Sequence, residues 1–246
     1  MKAIEAFAIM NALPIRRPET ITAGRVTLIC APHADDESLG CGGLIAQLCA
    51  ATTPPFVLIM TDGIGSHPHS KAYPSDRLRA LREAETLRAC ACLGLQADRV
   101  AFMGLTDTEA PMEGEAFEAA VRWLEAFCQR HCVGTVLSTW EHDPHGDHVA
   151  VHRIASAAAA GLHHWAYPVW GWTLADQAEV RLPADGIRLD IAGQLSQKRR
   201  AIASHHSQYG GLIDDDPTGF RLPPALLEVF DRPFETFLRL HGPEPL

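Results

Sequence analysis

From residue 26 to residue 161 the chain alternates short apolar runs with longer stretches of helical periodicity. The runs at 26–30, 56–60, 99–103 and 135–138 are apolar at successive rather than alternate positions, as in strands buried on both faces. Between them, 39–50 predicts a helix, and 76–93 predicts another. In the second, Leu78, Leu81, Leu87 and Leu93 lie near helical spacing and Gly94 makes a good stop. Residues 115–131 carry Phe117, Val121, Leu124 and Phe127 on one face, and 149–161 is an Ala-rich helix. A helix is also expected at 3–12, stopped near Pro14. Strand and helix alternate through four strands. This predicts an α/β, Rossmann-like three-layer fold: a mostly parallel sheet, helices on both faces and right-handed crossovers.

The later part is less regular. Residues 165–172 are aromatic and read as extended, 186–189 as a strand, 191–204 as a helix, and 234–240 as a last strand or helix. No repeat or linker divides the chain. Residues 1–246 are expected to form one domain, with 1–24 as an N-terminal extension. Gly40, Gly42 and Gly43 predict a close backbone approach, but G-C-G-G lacks the spacing of a dinucleotide fingerprint. The loop 66–74, with His67 and His69, reads as solvated, with a mobile flap over a site as the alternative. Arg82 and Glu85, three apart, read as a surface ion pair worth under about 1 kcal/mol.

Composition narrows the class. The net charge of -9 over 246 residues argues against binding driven by neutralised nucleic-acid phosphates. Seven cysteines, an odd number without C-x-x-C, suit a reducing compartment. Residues 1–13 lack a secretory pattern, and no apolar run approaches the roughly 18 residues of a membrane span. A cytoplasmic protein is the expectation.

Polar clusters follow all four strands, at 31–38, 61–66, 104–109 and 139–148. In a parallel sheet these ends share one edge, where open α/β folds bind ligands. The first cluster packs His33, Asp35, Asp36 and Glu37 into five residues. The fourth repeats histidine at 142, 145 and 148, with a further one at 152. A catalytic zinc site takes three such ligands and leaves one position for water. His33 and Asp36 offer two, and His148, at the start of a helix, offers the third. Asp35 then suits the base that takes a proton from water, and His145 the acid that protonates a leaving amine. Asp147 is placed to orient an imidazole.

These residues resemble the N-acetylglucosaminyl-phosphatidylinositol de-N-acetylases, the PIG-L or LmbE-like zinc deacetylases. That family's H-P-D-D-E is similar to His33-Ala34-Asp35-Asp36-Glu37, and its T-D-G loop to Thr61-Asp62-Gly63. An R-x-x-E helix ending in L-G resembles Arg82 to Glu85 with Leu93-Gly94. H-P-D-H followed by x-x-x-H resembles His145-Gly146-Asp147-His148 and His152. A late K-x-x-A-x-x-x-H-x-S-Q resembles Lys198, Ala201, His205, Ser207 and Gln208. Ala34 and Gly146 stand where the family has proline, which loosens two loops but removes no reacting group. The resemblance implies one zinc per chain on His33, Asp36 and His148, with Asp35 as base. It makes His145 an acid that also helps stabilise the oxyanion, and puts Arg82 and Asp107 near a sugar. Some members carry a tyrosine shortly before the second histidine motif as an extra oxyanion donor. Asp143 or His142 falls there, so that role is unassigned. The 163–246 part, where members differ most, is expected to shape the substrate pocket.

The implied activity is removal of an N-acyl group, acetyl first, from the 2-amino group of a GlcNAc-like sugar or glycoconjugate. The alternatives are an amidase cleaving a larger acyl or thiol conjugate, a non-catalytic metal-binding protein of the same fold, and phosphoester hydrolysis with Asp62 and Asp107 as extra ligands. Other divalent metals suit the same donors. The implied partner is a small N-acylated sugar, with no nucleic acid, no membrane span and homo-oligomerisation left open. Trp140, Trp170, Trp172 and Tyr209 are candidates for stacking on a sugar, against the commoner alternative of core packing.

Overall fold

A computed structural model describes residues 1–241 and builds them around an eight-stranded sheet. The strands are β1 (Ile15–Arg16), β2 (Val26–Ala31), β3 (Phe56–Thr61), β4 (Val100–Leu105), β5 (Val133–Thr139), β6 (His163–Tyr167), β7 (Asp185–Asp190) and β8 (Phe234–His241). The helices are α1 (Ala3–Ala12), α2 (Glu19–Thr22), α3 (Asp36–Ala50), α4 (Ser75–Cys92), α5 (Gly114–Arg130), α6 (Gly146–Ala158), α7 (Leu195–Ala203), α8 (His206–Tyr209) and α9 (Pro224–Phe230). The strand order is β1-β7-β8-β6-β5-β2-β3-β4, and β8 alone runs antiparallel to its neighbours. From β2 the chain winds outward through β3 and β4, then returns to lay β5 on the other side of β2. That reversal makes a crevice between the C-terminal ends of β2 and β5.

The successive apolar residues of the central strands divide between two cores. On one face, Leu28 and Cys30 of β2 join Leu58, Leu124 of α5 and Val151 of α6. On the other, Ile29 and Ala31 join Val57, Leu44 of α3, Ala89 of α4 and Ile202 of α7. A third cluster packs α1 through Ala3, Ala6 and Met10 against Trp140 and Leu238. With β1 paired to β7, the first sixteen residues are thus part of the sheet and its packing. No helix among the described residues is long and apolar enough to cross a membrane.

The close approach predicted at the glycines is to the protein's own side chains. A Cβ at Gly40 would collide with the Tyr167 ring, and one at Gly43 with the side chain of Ile191. Two helices begin three residues before the expected boundaries, at Asp36 and Gly146. Their first turns are therefore made of motif residues, whose carboxylates suit the positive end of a helix dipole. Residues 165–172 are extended only to Tyr167. Pro168 then lacks an N–H, and Trp170–Thr173 forms a short 3-10 helix.

Candidate active site and metal centre

The loop after β2 supplies one half of the site. His33 Nδ1 lies 3.3 Å from Asp36 Oδ2, which also accepts the His33 backbone N–H at 3.0 Å. Asp35, at the N-terminus of α3, has φ 132°, a left-handed backbone that costs a non-glycine residue about 1–3 kcal/mol. Its N–H donates to Glu37 Oε2 at 2.9 Å. Glu37 Oε1 in turn accepts from Ser38 Oγ at 2.6 Å and pairs with His205 Nε2 at 2.9 Å, all fully buried. Residue 205 therefore helps hold the strained turn that presents Asp35, without entering the ligand cluster.

The loop after β5 supplies the other half. His148 is fully buried in the first turn of α6. Its Nδ1 lies 2.9 Å from Asp143 Oδ2; an ionised carboxylate only accepts, so Nδ1 carries the proton. Nε2 is buried without a hydrogen bond and faces Asp36 Oδ2 at 3.2 Å. His145 caps α6, its Nδ1 accepting the Asp147 N–H at 3.2 Å, which puts the proton of the neutral ring on Nε2. Asp147 accepts N–H groups of Thr108 and Ala110 and lies 3.0 Å from His33 Nε2, which directs Nδ1 of that ring towards Asp36.

The donor set fits a zinc ion. Asp36 Oδ2 lies between the two imidazoles, 3.3 Å from His33 Nδ1 and 3.2 Å from His148 Nε2. Ligands about 2.0–2.1 Å from a tetrahedral zinc lie roughly 3.3 Å apart. The orphaned nitrogen of His148 is what a ligand position looks like when its opposite nitrogen is held by a carboxylate. The donor atoms that gather within 4.8 Å of one another are those of His33, His145 and His148, and those of His33, Asp107 and Asp147. The second group is already satisfied by contacts at His33 Nε2, with Asp107 Oδ1 at 3.1 Å.

The electrostatics follow from this crowding. Burial and the adjacent Asp36 lift the Asp35 carboxyl to about 7, against Arg82, His205 and His33. Burial would lower the His148 imidazole, but Asp36 and Asp143 lift it to about 9. Burial opposes His33 in the same way, and Asp107, Asp147 and Asp36 raise it well above the usual histidine value. Asp36 is held far below the usual carboxylate range because His148 and His33 outweigh its burial. Burial, then His33 and His148, push His145 down, favouring its neutral form.

Beside these groups lies a cavity of about 340 Å³. His33, Asp35, Arg82, Asp107 and His145 line it, with Trp170, Phe220 and Leu222 forming an apolar wall. Trp170 meets Phe220 edge to face, with ring centroids 5.7 Å apart. A wider groove of about 890 Å³ near Arg16 and Asp190 shares no residue with this cavity and carries none of the chemistry. Of the aromatic candidates, Trp170 alone lines the cavity. Trp140 is fully buried in the core, Trp172 packs on Phe7, and Tyr209 is half exposed elsewhere.

Several expectations are corrected. Arg82 and Glu85 do not form a surface ion pair: both are buried and each has other partners. Arg82 donates to the carbonyls of Gly63 and Ala34, while Glu85 accepts from the backbone and hydroxyl of Ser207. The loop 66–74 is fastened. Asp215 accepts from Ser70 Oγ and the N–H groups of Lys71 and Ala72, and Asp216 from that of His69. Asp62 is taken by Arg79 at 2.7 Å, so it is not a free extra ligand. His152 donates through Nδ1 to the Thr139 carbonyl, outside the ligand cluster. Asp143, at the position whose role is unassigned by the resemblance, lies outside the cavity lining; its carboxylate holds His148 and the backbone of 169–171. Composition around Asp143 gave no sign of this, although an acid five residues before a histidine in a turn is a geometry worth testing.

Fold and site together define a Rossmann-like α/β protein with a histidine–carboxylate cluster of metal-binding type at its topological switch point. The chain belongs to the PIG-L family, whose model, described as GlcNAc-PI de-N-acetylase, matches residues 28–159. It is 28% identical over 239 residues to a 1D-myo-inositol 2-acetamido-2-deoxy-alpha-D-glucopyranoside deacetylase of Rhodococcus opacus (strain B4), covering 75% of this chain and 82% of that protein. It is 29% identical over 219 residues to a 2'-N-acetylparomamine deacetylase of Streptomyces fradiae, covering 80% and 77%. Among solved structures, the N,N'-diacetylchitobiose deacetylase of Pyrococcus horikoshii matches its fold with a TM-score of 0.63 at 17% identity, over 96% of this chain and 92% of that one.

Proposed function

We propose that this protein is a zinc-dependent hydrolase that removes an N-acyl group, acetyl in the first instance, from the 2-amino group of a GlcNAc-like sugar or glycoconjugate. The observation that carries this reading is the buried, unbonded His148 Nε2. It faces Asp36 beside a cavity lined by Asp35 and His145. Membership of the family and the N-acetyl sugars in its relatives' names support the substrate class.

His33, Asp36 and His148 would hold the zinc. When bound, the ion would supply a water of lowered pKa and polarise the amide carbonyl. Asp35 takes the water's proton; a carboxyl near 7 is matched to that task at neutral pH. His145 donates its Nε2–H to the carbonyl oxygen as negative charge develops there. To act as the acid it would first take a proton at Nδ1 and lose its bond from the Asp147 N–H. Asp35 is then the group left holding a proton for the departing amine. Arg82 and Asp107, at the cavity wall, bind the sugar. The apolar wall at Trp170, Phe220 and Leu222 keeps the amidase alternative specific, since it suits an acyl chain longer than acetyl.

Acyl release from a panel of N-acetyl and longer N-acyl glucosamine derivatives, with and without chelator, tests the reading. Chelator-sensitive acetate release is expected. Activity that survives full metal removal would sink the metal role. Cleavage of long acyl chains without acetyl would select the amidase.

A further inference from the structure

We propose that Asp143 is a positioning residue that couples the metal ligand His148 to the cavity wall at Trp170, so that loading the metal and setting the wall are one event. The inference rests on the reading of His148 as a ligand.

Asp143 is almost completely buried. Its Oδ2 accepts His148 Nδ1–H at 2.9 Å, Val169 N–H at 3.0 Å and Trp170 N–H at 3.1 Å. Its Oδ1 accepts Gly171 N–H at 2.7 Å and meets the Val169 N at 3.3 Å. A carboxylate offers about four lone-pair sites, and four donors fill them here. No slack remains for water. Space is closed as well: a Cβ on Gly171 would fall 2.6 Å from Asp143 Oδ1 and 2.7 Å from the Trp140 ring. The turn thus held carries Trp170, whose ring lines the cavity and meets Phe220.

The imidazole and the wall therefore share a single group. Fixing the ring on a metal fixes the carboxylate, and so the turn; linkage makes the effect reciprocal. An amide in place of this carboxylate cannot serve both sides. With the amide oxygen in the Oδ2 position, its NH2 would face the Gly171 N–H. With the oxygen at Oδ1, the NH2 would face His148 Nδ1 and force the ring proton onto Nε2, the ligand atom. Either orientation also removes the negative charge that makes the imidazole a stronger donor.

The test uses zinc alone as the probe. Amide hydrogen exchange at Val169, Trp170 and Gly171 is followed in the wild-type protein with and without zinc. Zinc affinity of Asp143→Asn is measured by chelator competition. Zinc should slow the three amides by at least about fivefold, although none belongs to a proposed ligand. Asp143→Asn should weaken zinc binding about 10–100-fold and abolish the effect of zinc on exchange. Gly171→Ala, which presses on the carboxylate from the far side, should weaken zinc in the same direction. Equal exchange with and without zinc in a zinc-loaded wild type would overturn the coupling alone. So would zinc affinity within about twofold of wild type in both variants. A wild type that takes up no zinc would overturn the metal reading, and the inference with it.

Discussion

The two loops that build the site anchor their reacting groups in different ways. After β2 the chain offers carboxylates, Asp35, Asp36 and Glu37, and an imidazole from far along the chain, His205, holds Glu37. After β5 it offers imidazoles, His145 and His148, and a carboxylate, Asp143, holds His148. Asp147 then crosses from the second half to hold His33 of the first. The comparison teaches that the second loop anchors its own ligand through Asp143, whereas the first borrows its anchors, His205 and Asp147, from elsewhere in the chain. Each ligand is aimed by a residue whose charge is opposite in kind, because a buried polar group is costly unless its remaining lone pairs or protons are met.

Cutting the second half at its ligand should give the largest effect. His148→Ala is expected to reduce zinc from about one per chain to a trace and activity to background, read by metal analysis. Unchanged zinc content would remove His148 from the ligand set. Cutting the first half at its base should separate chemistry from metal. Asp35→Asn should keep zinc while kcat falls about 10²–10⁴-fold, and retained turnover would reassign the base.

The smallest effect is on stability, and its sign distinguishes the halves. His148, raised to about 9, contributes stability to the zinc-free protein that is fully present below about 6.5 and is lost as pH rises through 9. Asp36, lowered by its imidazole partners, contributes stability present above about 4 and lost on acidification through its depressed value. The melting temperature of zinc-free protein should therefore drop by about 5–10 °C between pH 6.5 and 9. A drop undiminished in His148→Gln would show that the imidazole of the second half is not its source.

Much of this was legible along the chain. Apolar runs followed at once by His33–Glu37 and by His145–His148 place both groups at one sheet edge, since alternation of strand and helix fixes which ends of the strands align. The anchors were not legible. Glu85 meets Ser207 and Glu37 meets His205 across more than a hundred residues, and no local periodicity encodes such a pairing. Arg82 and Glu85 misled for a related reason. Charge at i,i+3 on a leucine-bearing helix normally faces water, but α4 turns that face to the loops at Ala34 and Gly63 and to α8. The leucines Leu81 and Leu87 are correspondingly only half-buried. β1, two residues long, and α8, four, are too short to carry a pattern at all.

The placement of β8 between β6 and β7 has a consequence for how the protein is made. On a ribosome the first helix and β1 emerge early, yet their strand partner, β7, lies near the other end of the chain. β7 itself reaches the rest of the sheet only through β8. A two-stranded pair alone is marginal in water, so β1 and β7 have no firm seat until β8 is released. The crevice between β2 and β5 is formed from strands synthesised long before that. The chemical centre of the molecule can thus assemble during translation, while its flank waits for the last strand to close it.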